Sequence, residues 1–232
     1  MLNILAIETS TQACSAALLC DAQVSQRYQV APRGHGDLIL GMIDQLLREA
    51  DLTPTRLTAV AFGRGPGAFT GVRVAASVAQ GIAYAADLPV VPVSTLAALA
   101  LAGYRHNAYQ AVLCATDARM GEVYWGAYQV QQGVVSLLGD ECVCRPEAVP
   151  VPGPGEWYGV GNGWAVYAGQ LPDVLTHVPV AEMTEWLPRA EEVALLAKHE
   201  FEQGRTVAAD QAVPVYLRDN VAQKKQNYKS LS

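Results

Sequence analysis

Residues 63–86, GRGPGAFTGVRVAASVAQGIAYAA, constrain the fold of this chain more than any other stretch. Gly63, Gly65, Gly67 and Gly71, with Pro66 among them, open a segment whose backbone is free to take positive φ and whose amides no side chain covers. Val72, Ala75, Ala76, Ala79, Ile82, Ala83 and Ala86 then fit one face of a helix, and most of them are small. The apolar run from Leu57 to Phe62 comes first, so the order is strand, glycine loop, helix N-terminus. A loop of this kind suits an anion held by the helix N-terminus. It equally suits a helix packed close against another, and the two readings imply different functions.

Spacing tests the two familiar phosphate motifs. A P-loop needs a Lys-Ser/Thr pair after its last glycine, and here Thr70-Gly71-Val72-Arg73 follows without a lysine. Gly63, Gly65 and Ala68 match the dinucleotide pattern loosely, but Pro66 removes an N–H. The acid at the right distance, Asp87, precedes Leu88-Pro89 in a turn rather than standing in a second strand.

The rest of the chain has an α/β pattern in two halves. Leu2 to Ile7 predicts a buried strand, followed by a turn over Glu8–Gln12 and a hairpin partner from Cys14 to Leu19. A third strand is expected over 25–30, broken by Pro32, Arg33 and Gly34. A helix over 37–50 carries Ile39, Ile43, Leu46, Leu47 and Ala50 as one stripe, which Leu38 and Met42 widen beyond a single core contact. After the small-residue helix come a short strand at 88–93 and a helix at 95–102. In the second half, strands are expected over 111–116, 122–130 and 134–138, the last two joined by the turn Gln131-Gln132-Gly133. A proline- and glycine-rich stretch at 149–163 and a helix over 189–202 follow. This gives lobes of residues 1–104 and 105–222, with a polar tail at 223–232 that is expected to be disordered.

With 232 residues, 51% hydrophobic and 16% charged, the chain is large and apolar enough to bury a real core. Its net charge of −6 argues against a stand-alone nucleic-acid binder, which carries a basic face. The opening MLNILAIETS has no basic region and its apolar run breaks at Glu8, so it reads as a first strand rather than a signal peptide. No apolar run is long enough for a membrane span, and a cytoplasmic protein is expected. Its cysteines (Cys14, Cys20, Cys114, Cys142, Cys144) are odd in number, and reduced thiols are expected rather than disulfides or zinc ligands.

The two halves resemble each other. ILAIETSTQACSAAL aligns with CATDARMGEVYWGA as strand, acid, turn, strand, and Glu8 falls where Asp117 falls. Two such units face to face describe the duplicated ribonuclease-H-like, two-lobed α/β fold of the actin, sugar-kinase and Hsp70 group. In that group a carboxylate at each hairpin tip helps hold Mg-nucleotide between the lobes, which makes Glu8 and Asp117 candidate cofactor-binding residues. Against this, the loop after Asp117, Ala118-Arg119-Met120-Gly121, has a single glycine. A degenerate actin-like ATPase or kinase using both acids is one functional alternative. A peptidase is another, but there is no G-x-S-x-G elbow, and Ser10, Ser15, Ser77 and Ser94 have no predictable histidine beside them.

The segments LAIETSTQACSAAL, GRGPGAFTGVRVAASVAQGIA, PVVPVSTLAALA and TDARMGEVYWGAY, with AVPVYLR at 212–218, occur in the order and spacing of the bacterial TsaB (YeaZ) family, and the chain resembles that family over nearly its whole length. The resemblance implies a non-catalytic subunit of tRNA threonylcarbamoyladenosine biosynthesis. The related TsaD proteins transfer a threonylcarbamoyl group from its adenylate to the adenosine beside the anticodon of tRNAs reading codons that begin with A. They bind a metal through two histidines four apart, which share a helix face. The corresponding positions here are Thr95 and Leu99, so neither a metal site nor a catalytic residue is expected. His35, His106, His177 and His199 are scattered without ligand spacing. The resemblance further implies a heterodimer with TsaD, recruitment of TsaE, a homodimer when TsaD is missing, and contact with tRNA through the complex alone. No cofactor of its own is implied, although ATP or ADP at the junction with partner subunits is.

The helices at 37–50 and 71–86 are the surface for such pairing, because two adjacent apolar helices can complete a four-helix bundle with a similar pair. The expected interface residues are His35, Leu38, Ile39, Met42, Ile43 and Leu46 from the first, and Gly67, Phe69, Thr70, Arg73, Val74, Ser77 and Val78 in and before the second. The plain alternative is that both helices only cover their own sheet.

Overall fold

Six consecutive buried residues, Asn3–Glu8, form β1 and fix the centre of the first sheet. In the computed structural model, which describes residues 2–31, 34–175, 178–179 and 186–218, β1 pairs antiparallel with β2 (Ala13–Cys20), and β2 with β3 (Gln23–Val30). On its other edge β1 runs parallel to β4 (Ala59–Gly65), and β4 parallel to β5 (Val90–Ser94). The second sheet comprises β6 (Ala111–Arg119), β7 (Glu122–Gln131), β8 (Val134–Cys144) and β9 (Tyr158–Val160). Its order, β8-β7-β6-β9, repeats the β3-β2-β1-β4 of the first, again with two antiparallel pairings and then a parallel one. The duplicated ribonuclease-H-like fold expected from the sequence is therefore present, with β5 the one strand of the first sheet that has no counterpart among the described residues of the second.

The helices are α1 (His35–Glu49), α2 (Phe69–Ala86), α3 (Thr95–Asn107), the short α4 (Gly163–Val166) and α5 (Ala190–Glu202). Strand alternation sends Leu5 and Ile7 to one face of the first sheet, where α1 and α2 cover them, and Ile4 and Ala6 to the other. On that second face lie α3 and α5, and the far side of α3 meets β6 and β7 of the second sheet, where Val112, Cys114, Tyr128 and Val130 join the same core. Thus α3 is shared between the sheets, while α5 covers the first and meets the second mainly at β8. On the outer face of the second sheet, Trp164 and Tyr167 pack with Trp125. Ser94 caps α3, accepting from the backbone N–H groups of Leu96 and Ala97.

Packing does not follow chain order. Although α5 comes from the stretch expected in the second lobe, it lies on the first sheet. Beyond it Val207 bridges Val90, and the Val215 N–H donates to the Arg64 carbonyl at 2.8 Å. Arg218 then reaches the second half, donating to the Ala118 carbonyl at 3.1 Å and pairing with Glu122. Residues 207–218 therefore strap the first sheet to the tip of the β6–β7 hairpin. The stretch 223–232 lies outside the described residues.

Several elements differ from expectation: β9 falls in the proline- and glycine-rich stretch at 149–163, where no strand is expected, and α3 runs five residues past its expected end. Expected to end at 138, β8 continues to Cys144 through Gly139, which has φ +78° and lies within a register shift against β7, a bulge. At four residues, α4 is too short to show a period.

Candidate functional site

The glycine loop after β4 lies against the turn that follows β1. A Cβ at Gly63 would stand 1.9 Å from Glu8 Oε2, at Gly67 2.5 Å from the Ser10 carbonyl oxygen, and at Gly71 2.0 Å from that of Thr9. The Ala68 N–H donates to the Ser10 carbonyl at 2.7 Å, and the Thr9 hydroxyl donates to the Gly71 carbonyl at 2.7 Å. Three glycines of the loop thus make room for protein, which favours close packing over an anion cradle. Backbone meets the loop here, where a helix was expected to. The second half repeats the device: Cβ atoms at Gly161 and Gly163 would strike Ala115 at 2.2 and 2.8 Å.

Glu8 is completely buried. Its Oε1 accepts from the Ser10 N–H at 2.6 Å and its Oε2 from the Thr95 hydroxyl at 3.2 Å. Burial pushes its carboxyl above the usual range, against the pull of those hydrogen bonds. Asp117 accepts from the Arg119 N–H and the Tyr167 hydroxyl, both at 2.8 Å, and pairs with the Arg119 guanidinium at 3.1 Å. Burial, then the hydrogen bond to Asp117, push the Tyr167 phenol to about 12. The two acids occupy equivalent hairpin tips but bond to separate neighbours. Of the two positions where TsaD-like metal ligands would fall, Thr95 is spent on Glu8 and Leu99 on the core. Among the described residues no three His, Cys, Asp or Glu side chains gather as a metal site.

Of the scattered histidines, His35 places Nε2 2.6 Å from the Ala31 carbonyl oxygen, and His106 meets Trp186 edge-on. His177 lies outside the described residues.

A polar node that the sequence reading missed joins the halves. Glu141 accepts from the Ser94 hydroxyl and, at 2.5 Å, from the Tyr128 hydroxyl, while its other oxygen lies 3.4 Å from Arg64. Nothing in the sequence marked Glu141, which lies beyond the expected end of its strand at 138.

On the α1–α2 face, Gly36, Phe69, Thr70, Arg73, Val74, Ser77 and Val78 line a shallow groove of about 400 Å³. Phe69 is 58% exposed. On α2, Thr70, Arg73 and Ser77 are exposed and Val74 and Val78 half-buried, with half-buried Gly67 just before it and His35, Leu38 and Met42 half-buried on α1. Ile39, Ile43 and Leu46 are a correction to the expected interface. At 0%, 5% and 1% exposure they belong to the core, because the stripe they form is the one the sheet claims. Among the described residues no helix is long and apolar enough to cross a membrane.

The sequence model of the TsaD family, tRNA N6-adenosine threonylcarbamoyltransferase, matches residues 22–226. The tRNA threonylcarbamoyladenosine biosynthesis protein TsaB of Escherichia coli is 42% identical over 97% of this chain and 98% of its own length. The chain belongs to the TsaB family. A TsaB of Bacillus subtilis is 29% identical over 94% of this chain and 94% of that one. The solved structure of YeaZ from Pseudomonas aeruginosa superposes with a TM-score of 0.89 at 46% identity, covering 94% of this chain and 100% of that one. TsaB membership agrees with the geometry: the fold matches end to end, and what faces outward is a groove between helices.

Proposed function

We propose that this chain is a non-catalytic scaffold subunit in the synthesis of threonylcarbamoyladenosine at the adenosine beside the anticodon of tRNAs reading codons that begin with A. It pairs through the α1–α2 face with a TsaD-type transferase, activates it and helps recruit TsaE. The observation that carries this reading is the groove itself, with exposed Phe69 at its rim, on a chain whose relatives are named for that biosynthesis. Completing a helix bundle across such a face buries apolar area that a lone subunit leaves in water. In the absence of the transferase the same face pairs with a second copy.

The engagement of Thr95 by Glu8 and of Leu99 by the core supports a subunit without transferase chemistry of its own. ATP or ADP at the junction is held chiefly by the partners, since Glu8 is sealed inside the first half. A net charge of −6 makes the subunit a poor polyanion binder, so the assembly meets the tRNA. Light scattering on the chain alone and then titrated with a TsaD-type transferase tests the reading. A homodimer that yields to a one-to-one heterodimer is expected; a monomer indifferent to the transferase refutes it.

A further inference from the structure

Most arginines of the chain that the structure describes sit against a carboxylate, such as Arg27 with Glu49 and Arg205 with Glu200. Arg73 is different. It stands exposed at the rim of the α1–α2 groove, and no carboxylate pairs with it among the described residues. Its guanidinium carbon lies 3.4 Å from the centre of the Phe69 ring and 5.5 Å from that of Tyr216. Its Nε donates to the Tyr216 hydroxyl at 2.8 Å. Two rings and a hydrogen bond thus hold a side chain that normally loses rotamer freedom on binding, while its terminal nitrogens have no acceptor among the described residues. A guanidinium fork fixed in this way matches a carboxylate held by two parallel hydrogen bonds.

The groove beside it is lined by Phe69, Val74 and Val78, with only the hydroxyls of Thr70 and Ser77 for polar company. Its occupant therefore presents apolar side chains and, within reach of Arg73, one acid. We infer that Arg73 is the residue that selects this occupant, and that the occupant is a helix of the TsaD-type partner bearing an Asp or Glu about one turn from its apolar anchors. This rests on the assembly reading above and adds the chemistry by which the partner is recognised. On a chain of net charge −6, a partner's carboxylate is repelled by most of the surface and welcomed at Arg73, so the pair sets register as well as affinity. Tyr216, from the strap, is a positioning residue.

The test is calorimetric titration of the chain with a TsaD-type transferase at low and at high salt, for the parent and for Arg73→Ala, Arg73→Lys and Tyr216→Phe. Arg73→Ala is expected to weaken association by about tenfold or more and to flatten its salt dependence. Arg73→Lys keeps the charge but not the fork, and recovers part of the loss. Tyr216→Phe keeps the ring and loses the hydroxyl, for a smaller loss. When each interface acid of the transferase is changed to its amide, one change is expected to cost nothing further against Arg73→Ala. Unchanged affinity of Arg73→Ala, with its circular dichroism melt matching the parent, overturns the inference and leaves the assembly reading standing. A loss confined to self-association also overturns it, by making a second copy the occupant. Failure of the parent itself to bind overturns both.

Discussion

Replacing Gly71 and Gly81 by alanine in separate variants makes the same chemical change on the same helix and should give opposite results. Alanine is favoured over glycine within a helix by about 1 kcal/mol. At Gly81 an added Cβ meets nothing within 4 Å, so that gain is expected in full. At Gly71 the new atom would lie 2.0 Å from the Thr9 carbonyl oxygen and 3.1 Å from its carbon, both backbone in the turn between β1 and β2. A flexible side chain could swing away, but this turn is tied down, since the Thr9 hydroxyl donates to Gly71 itself at 2.7 Å. Opening the contact costs about 1–3 kcal/mol of overpacking and about 1 kcal/mol for the strained hydrogen bond, against the propensity gain of about 1 kcal/mol. The net is a loss of about 1–3 kcal/mol. For a chain of this size that is a fall in Tm of roughly 2–12 °C for Gly71→Ala, against a rise of roughly 2–4 °C for Gly81→Ala. Thermal melts followed by circular dichroism in one buffer suffice. If Gly71→Ala melts at or above the parent, the glycine loop is not held by close packing, and the anion reading regains its ground.

Glu8→Gln tests the buried carboxyl: its folded-state pKa is raised, so the native chain holds the extra proton, and stability falls as pH rises from the ordinary value of 4.5 through the raised one. Urea titrations across that range should show the decline in the parent and a flatter profile in Glu8→Gln. Ile43→Ala should cost about 2–4 kcal/mol of folding stability by the same denaturation, as a core deletion does. Phe69→Ala should leave the melt within about 0.5 kcal/mol of the parent, being exposed, and weaken partner binding instead. Cys144, its thiol pushed to about 12 chiefly by burial, should resist iodoacetamide at pH 8, where roughly one thiol in ten thousand is ionised. Mass spectrometry should show its labelling speed up about tenfold per pH unit above that.

Much of the fold was legible because its signals are local. The apolar run at 2–7, the glycines at 63–71 and the repeated strand-acid-turn-strand pattern each fit within a short window, and duplication linked Glu8 to Asp117. What one face of a helix touches is not local. Ile39, Ile43 and Phe69 are all expected at the interface, and only the position of the sheet decides that the first two are core. Long-range polar partners were illegible for the same reason. Tyr216 meets Arg73 across 143 residues of sequence, and Glu141 stays unmarked until Ser94 and Tyr128 are brought to it.

The packing of α5 on the first sheet bears on how the chain comes off the ribosome. Ile4, Ala6, Ala59 and Ala61 present a finished apolar face as soon as β4 is made, but part of its cover, residues 190–202, emerges more than a hundred and twenty residues later. At ordinary rates of synthesis that delay is roughly 6–27 seconds. A nascent chain stalled before residue 190 therefore carries a half-clad sheet, a surface that a chaperone would recognise and that the completed protein never shows.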